Sequence, residues 1–201
     1  MNEKTECEFN TKLILESLAC GDPYLRKNFI GASDAPIIMG VSPWRTVKQL
    51  YSEKIGTEAP QKETYPMTRG NELEALAREM FEKITGYWVM PRRLFHPIYE
   101  WMMASLDGMD ATEKVVVEIK CPGKKSHAQA KNGKVPEIYY PQLQHQMIVA
   151  DLKKMYYFSY YGGSHYLFTV ERDDEYCEKL IEKESKFWDC IKNMTEPGDD
   201  F

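Results

Sequence analysis

Short apolar strands alternating with amphipathic helices predict an α/β fold for this chain of 201 residues, and three segments carry that expectation. Residues 70–85 place Leu73, Leu76, Ala77, Met80, Phe81 and Ile84 at the i, i+3, i+4, i+7 spacing of a helix with one apolar stripe. Residues 102–107 and 114–120 are short apolar runs joined by a polar connection from Asp107-Gly108 to Glu113-Lys114, which reads as a hairpin. The run Tyr156-Tyr157-Phe158-Ser159-Tyr160-Tyr161, then Gly162-Gly163, then Tyr166-Leu167-Phe168, is a second hairpin.

In chain order, residues 1–20 read as an amphipathic helix or a loose arm, and residues 33–56 as one or two helices. Ile30-Gly31-Ala32-Ser33-Asp34 sets a glycine, small residues and a capping candidate before the apolar run from Ala35 to Met39, so a helix is expected to begin near Ser33. Helix amino termini bind phosphate, and Arg26, a turn or so upstream, could add a bidentate contact. An ordinary capped helix fits the same letters. The helix at 70–85 stops at Gly86. On its wheel Glu74 falls along Phe81 at the edge of the apolar stripe, Glu79 and Glu82 point to water, and Glu72 lies on the opposite flank. Glu74 could therefore reach an interior site, or serve only as a first-turn glutamate favoured by the helix dipole.

Core strands follow across 87–120. At 136–151, Pro141 opens a helix whose apolar face carries Leu143, Met147 and Ala150, while Gln142, His145 and Gln146 share one polar side. That polar row suits the wall of a wet, charged site and a solvated face equally. Two strands at 154–170, a terminal helix at 173–194 and a tail expected to fray from Glu196 to Phe201 complete a single domain. The aromatics of the second hairpin are expected in the core and at subunit contacts rather than as platforms for stacked bases.

The residues able to do chemistry meet at the first hairpin. A strand's period of two turns Glu118 and Lys120 to one face and Val117 and Ile119 to the other, and Asp107 has only to sit across the ladder to join them. Cys121-Pro122 ends the second strand at once, as for an interior strand opening onto a cleft. Two carboxylates supply the hard oxygen ligands that Mg²⁺ and Mn²⁺ take. Such a cation polarises a phosphoryl oxygen and acidifies a bound water, and a lysine beside it orients that water or offsets transition-state charge. Asp107, Glu118 and Lys120 thus fit metal-dependent phosphodiester hydrolysis. A surface hairpin with a salt-bridged glutamate and lysine is the plainer alternative, although its strand need not be so continuously apolar.

Further motifs follow one another over nearly the whole chain: Arg26 with Ile30-Gly31-Ala32-Ser33-Asp34, Gly40-Val41-Ser42-Pro43-Trp44, Gly70-x-x-x-Glu74, Ser105-Leu106-Asp107-Gly108, Glu118-Ile119-Lys120-Cys121-Pro122, Pro141-Gln142-Leu143-Gln144 and Glu171-Arg172-Asp173. In this order and spacing the chain resembles the lambda-type phage exonucleases, also called YqaJ-like viral recombinases, a branch of the PD-(D/E)xK nuclease superfamily. The resemblance implies a restriction-endonuclease-like core, a central mixed β-sheet flanked by helices. It also implies a Mg²⁺-dependent 5′-to-3′ exonuclease, with Mn²⁺ able to substitute, that loads on double-stranded DNA ends and leaves a 3′ overhang for annealing. By the same resemblance Asp107, Glu118 and the carbonyl of Ile119 hold a first metal ion, and Glu74 helps to hold it or a second. Lys120 is then the catalytic lysine, Gln142 supports the attacking water, and Arg26 and Ser33 grip the terminal 5′-phosphate. A ring-shaped homotrimer and a single-strand annealing protein as partner are implied too. Leu106 stands where a proline often precedes the aspartate, which leaves the ligand itself in place. Two other functions stay open: a structure-specific or restriction-type endonuclease on the same core, and a DNA-end-binding subunit without turnover.

Composition, 43% hydrophobic and 28% charged, is ordinary for a globular domain. No run approaches roughly 18 apolar residues, and no export signal begins the chain, so a cytoplasmic protein is expected, in the host cell if viral. The five cysteines are expected as reduced thiols, and neither they nor the four histidines have zinc-site spacing. A net charge of −5 disfavours DNA as a whole, so local charge has to decide. Lys124, Lys125, Lys131 and Lys134 cluster in what reads as a loop after the strand of Glu118, and Arg92 and Arg93 in another. These could track phosphates with little base readout, or form a mobile solvated loop.

Overall fold

The computed structural model describes residues 25–59, 64–198 and 201, so the expectation for residues 1–20 lies outside the described residues. Among them, six strands form one mixed sheet: β1 (Ile30–Gly31), β2 (Met90–Phe95), β3 (Met102–Met109), β4 (Val116–Lys120), β5 (Lys154–Tyr161) and β6 (Ser164–Glu171). Six helices accompany it: α1 (Ala35–Ile38), α2 (Val47–Ile55), α3 (Tyr65–Thr85), α4 (Lys124–Ala130), α5 (Tyr140–Val149) and α6 (Asp174–Lys192). The sheet order is β1-β3-β4-β5-β6, with β2 also paired to β3.

Strand β3 is paired along one edge across a bulge and interrupted along the other. β2 runs antiparallel along it, from Phe95 opposite Met103 to Met90 opposite Met109. β1 also meets β3 at Met103, in parallel, and β4 meets it at Met109, antiparallel. A strand residue has one neighbour on each side, so β1 and β4 must share the edge that β2 leaves. Between them, residues 104–107 of that edge have no strand partner among the described residues. The register is also broken here, since two steps along β2, from Met90 to Arg92, face three along β3, from Met109 to Leu106. This bulge lets Leu106 and Met109 both enter the same core cluster, with Asp107 and Gly108 between them.

Both faces of the sheet are covered. On one, Met102, Ala104, Leu106, Val116 and Tyr157 pack with Leu143 and Met147 of α5 and Leu180 of α6. On the other, Val117, Ile119, Phe158 and Tyr160 pack with Ala77 and Phe81 of α3. The alternation expected for β4 is therefore the one observed. Gly162 and Gly163 sit at φ +55° and +83°, the left-handed conformation a tight two-residue hairpin turn requires, and Tyr161 pairs Ser164 across it.

Several local expectations are corrected. α3 begins at Tyr65, five residues before the expected start at residue 70, and stops at Gly86 with φ +74° as expected. Leu76 and Ile84 stay 47% and 44% exposed, because the helix turns Ala77 and Phe81, with Met80 beside them, toward the sheet. Glu82 turns from water to accept the N–H of Val89 at 2.9 Å. α1 starts at Ala35, so Asp34 rather than Ser33 holds the position before the helix. Asp34 accepts the N–H of Gly31 at 2.9 Å and pairs with Lys54 at 2.6 Å. The segment of Lys124 and Lys125 is the helix α4 rather than a loop, since after Gly123 its residues are mostly good helix formers. Arg92 and Arg93 lie on β2, also not in a loop. α5 begins at Tyr140, four residues later than expected, with Pro141 in its first turn. The tail is docked where fraying was expected: Pro197 is buried, and Phe201 meets Phe187 at 6.1 Å while its carbonyl accepts from Lys183 at 2.9 Å.

Candidate active site

The unpaired stretch of β3 and the end of β4 frame the site. Parallel pairing sets Glu118 opposite Tyr157 and Lys120 opposite Ser159, on the face covered by α5. Glu118 is fully buried, yet its carboxylate is surrounded by donors. Its Oε1 accepts from Lys120 Nζ at 2.5 Å and Gln142 Nε2 at 2.7 Å, and its Oε2 from Gln146 Nε2 at 2.6 Å. Three donors, one of them cationic, replace the water that burial removed.

Lys120 also lies 5.2 Å from the ring centroid of Tyr139. Burial alone would favour its neutral amine, but the Glu118 and Asp107 carboxylates outweigh burial and hold it charged above the usual lysine range. Asp107 Oδ2 accepts the N–H of Ile119 at 2.8 Å, which crosses from β4 where the ladder has ended. Burial raises its carboxyl well above the ordinary range, the Glu118 and Glu74 charges add to the rise, and Lys120 and the Ile119 N–H oppose it.

Glu74 reaches the site from α3, as the helix wheel suggested. Arg78, one turn on, pairs with Glu74 Oε1 through Nη2 and donates from Nε to the carbonyl of Asp107 at 2.8 Å. It fastens the helix to the bulge. Nothing singled out Arg78 in the sequence, although its i,i+4 spacing from Glu74 was a usable signal. Gln146 was placed only on a polar face, and here it grips Glu118.

The donors fit a hard divalent cation in kind: the carboxylates of Asp107, Glu118 and Glu74, with backbone carbonyls beside them. Burial raises the Asp107 carboxyl first, and the neighbouring Glu118 and Glu74 charges add to it, so a further cation beside Asp107 would be favoured. Among the described residues no three acidic, imidazole or thiol groups stand close enough to enclose a cation as they are. Glu74 is turned to Arg78 and Asp107 to Ile119.

Other expected residues fall outside this cluster. Arg26 lies on the 3₁₀ turn Leu25–Asn28, and its side chain is outside the described residues. Ser33 is exposed just past β1, which runs parallel to β3, so the chain there heads toward the end of the sheet that holds Asp107. Lys124, Lys125, Lys131 and Lys134 are all exposed, the first two opening α4 four residues after Lys120. His145 does not line a wet wall with Gln142 and Gln146. It is sealed inside, its Nδ1 2.8 Å from Glu184 Oε1 and its Nε2 donating to the Met103 carbonyl at 2.9 Å. Gln144 ties α5 to the start of α6, donating to the Glu171 carbonyl at 3.1 Å and accepting from the Asp173 N–H at 2.9 Å.

With the geometry in place, comparison with known proteins is decisive at the family level. The model of the YqaJ-like viral recombinase domain matches residues 24–153. The chain belongs to the YqaJ-like viral recombinase family. The matched stretch holds Glu74, Asp107, Glu118, Lys120 and Gln142, and stops before the β5-β6 hairpin. A curated relative, the uncharacterized protein YqaJ of Bacillus subtilis (strain 168), is 31% identical over 170 residues, or 81% of this chain and 53% of that protein. This recombinase-family chain therefore spans about half the length of that relative.

Among solved structures, the alkaline exonuclease LHK-Exo from Laribacter hongkongensis is similar with TM-score 0.74 and 26% identity, over 85% of this chain and 91% of its own. LHK-Exo in complex with dAMP gives TM-score 0.75 and 25% identity over the same shares, 85% and 91%. A phage related exonuclease from Haemophilus somnus 129PT, 18% identical, shares the fold with TM-score 0.64 over 83% of this chain and 96% of its own. The restriction-endonuclease-like core implied by the motifs is the fold this family member has. Among the described residues no helix is long and apolar enough to cross a membrane.

Proposed function

We propose that this protein is a metal-dependent exonuclease acting on the ends of double-stranded DNA, removing one strand 5′ to 3′ and leaving a 3′ overhang for annealing. The observation that carries it is the meeting of Asp107, Glu118 and Lys120 at the open edge of β3, with Glu74 brought in by α3. Similarity to LHK-Exo over most of both chains supports the same choice.

Asp107, Glu118, the Ile119 carbonyl and Glu74 would hold Mg²⁺, or Mn²⁺ in its place. The ion supplies Lewis acidity toward the phosphoryl oxygen and toward the water that adds to phosphorus. Lys120, 2.5 Å from Glu118 Oε1, would orient the attacking water or offset charge on the reacting phosphate. Gln142 donates to Glu118 Oε1, the oxygen that Lys120 also uses, and would support the attacking water from there. Arg26 and Ser33 grip the terminal 5′-phosphate, and Lys124, Lys125, Lys131 and Lys134 follow the backbone phosphates of the duplex. A ring-shaped homotrimer and a single-strand annealing partner belong to the same proposal and rest on the family resemblance.

Linear duplex DNA labelled separately at its 5′ and 3′ ends, incubated with Mg²⁺ beside a closed circle of the same sequence, tests it. Early release of 5′ label with the circle intact is expected. Cutting of the circle would point instead to an endonuclease, and end binding without cleavage to a silent subunit. Light scattering on the purified protein checks the ring, which predicts a mass of three chains.

A further inference from the structure

The two oxygens of Glu118 are used unequally. Oε1 accepts from both Lys120 (2.5 Å) and Gln142 (2.7 Å), which takes up its two lone pairs. Among the described residues Oε2 accepts from Gln146 alone (2.6 Å) and keeps one lone pair. Gln146 is 0% exposed, and its amide nitrogen also donates to the Ser105 carbonyl at 3.2 Å. Ser105 lies on the stretch of β3 edge that has no strand partner among the described residues. With two acceptors around it, that end of the amide can only be the nitrogen. Its oxygen is then buried without a hydrogen-bond partner among the described residues. An unmet acceptor in the interior is unfavourable, and a methionine of similar length would fill the place without one. Packing alone does not explain an amide here.

We propose that Gln146 is a positioning residue of the metal site, one that presents Oε2 of Glu118 to the ion and ties it to the β3 edge carrying Asp107. It acts through Glu118 and touches no substrate, and the inference rests on the metal-dependent nuclease proposed above. Gln142 and Gln146, one turn apart on α5, thus have different tasks. Gln142 serves the oxygen shared with Lys120, and Gln146 serves the oxygen left for the ion.

The test is calorimetric titration of DNA-free protein with Mn²⁺, beside DNA cleavage measured across Mn²⁺ concentration. Gln146→Met should weaken Mn²⁺ binding by roughly 10- to 100-fold, as loss of a partner behind a ligand does elsewhere. The half-saturating Mn²⁺ for cleavage should rise by the same factor, with excess Mn²⁺ recovering most of kcat. Gln142→Met should shift Mn²⁺ affinity far less and act on kcat. Should Gln146→Met not fold by circular dichroism, Gln146→Asn, one methylene shorter, keeps a polar group there but cannot span Glu118 and Ser105, and the same loss is expected. Unchanged Mn²⁺ affinity in a folded Gln146 variant, or equal weakening by the two methionine variants, would overturn the proposal. Wild-type protein that takes up no Mn²⁺ would instead overturn the metal-dependent nuclease reading, and this inference with it.

Discussion

Replacing Gly108 by alanine puts a single methyl group into the most crowded part of the site. A Cβ at this position would stand 2.6 Å from Val89 Cγ2 and 2.8 Å from Val117 Cγ1. Carbon atoms prefer about 3.5–4 Å, so the overlap is about 1 Å on one side and somewhat less on the other. Neither neighbour can yield easily, because Val89 is 2% and Val117 0% exposed and β-branched side chains have few rotamers. The strand must shift instead, at a cost near the upper end of overpacking, about 3 kcal/mol. For a chain of this size that is a fall in Tm of roughly 6–12 °C. Asp107 precedes Gly108 in the bulge, so the shift also moves a proposed metal ligand, and about 1 Å of misplacement can lower a rate by about 100-fold. Differential scanning fluorimetry and Mn²⁺ titration of Gly108→Ala measure both effects. A variant that melts within a degree of wild type and binds Mn²⁺ equally well would refute the idea that Val89 and Val117 lock the bulge.

Three other outcomes are expected. Arg78→Met removes the charge-assisted bond to the Asp107 carbonyl and frees Glu74, costing about 2 kcal/mol, or roughly 4–8 °C in Tm; an unchanged melt would show that the arginine does not fasten α3 to the bulge. Gly70→Ala meets nothing within 4 Å and lies inside α3, so it should stabilise by about 0.5–1 kcal/mol, read as a higher urea midpoint; a lower midpoint would contradict the open space found there. For His145, burial lowers the pKa, but the Glu184 carboxylate and the Met103 carbonyl, with Asp34 nearby, raise it above its ordinary 6.5 overall. The imidazolium's contribution is then fully present below 6.5 and is lost as pH climbs through the raised value; burial raises the Glu184 carboxyl as well, so its ionisation costs stability in the same direction. Urea midpoints should fall from about pH 6 to about pH 9, and His145→Gln should flatten the slope; parallel profiles would rule the pair out as its source.

What the sequence revealed was mostly local. The period of two in Val116–Lys120 and the punctuation at Gly86, Pro141 and Gly162-Gly163 each depend on a few neighbouring residues, and all of them hold in the structure. Asp107, Glu118 and Lys120 were legible for the same reason, since one hairpin brings them together. Glu74 was legible because a helix wheel gives direction without tertiary knowledge. The rest depends on contacts across the fold. His145 meets Glu184 39 positions away, and Gln146 meets Ser105 41 positions away, so their polar spacing on α5 says nothing of which partner each finds. The lysine helix α4 was obscured by Gly123, Pro122 and Gly133 around it, which read as loop punctuation. Docking of Phe201 on Phe187 left no local trace at all.

The interrupted edge of β3 sets a limit on how this protein can be strengthened. Four residues of backbone there, about 13 Å of strand at ordinary rise, trade ladder hydrogen bonds for side chains: Gln146 on the Ser105 carbonyl and Arg78 on the Asp107 carbonyl. A sequence optimised only for a continuous sheet would close the slit with main chain and evict both side chains, along with the opening beside Asp107 that the proposed chemistry needs. Stabilising substitutions should therefore be sought far from it, on the exposed flank of α3 or the outer face of α6, where added stability does not compete with access.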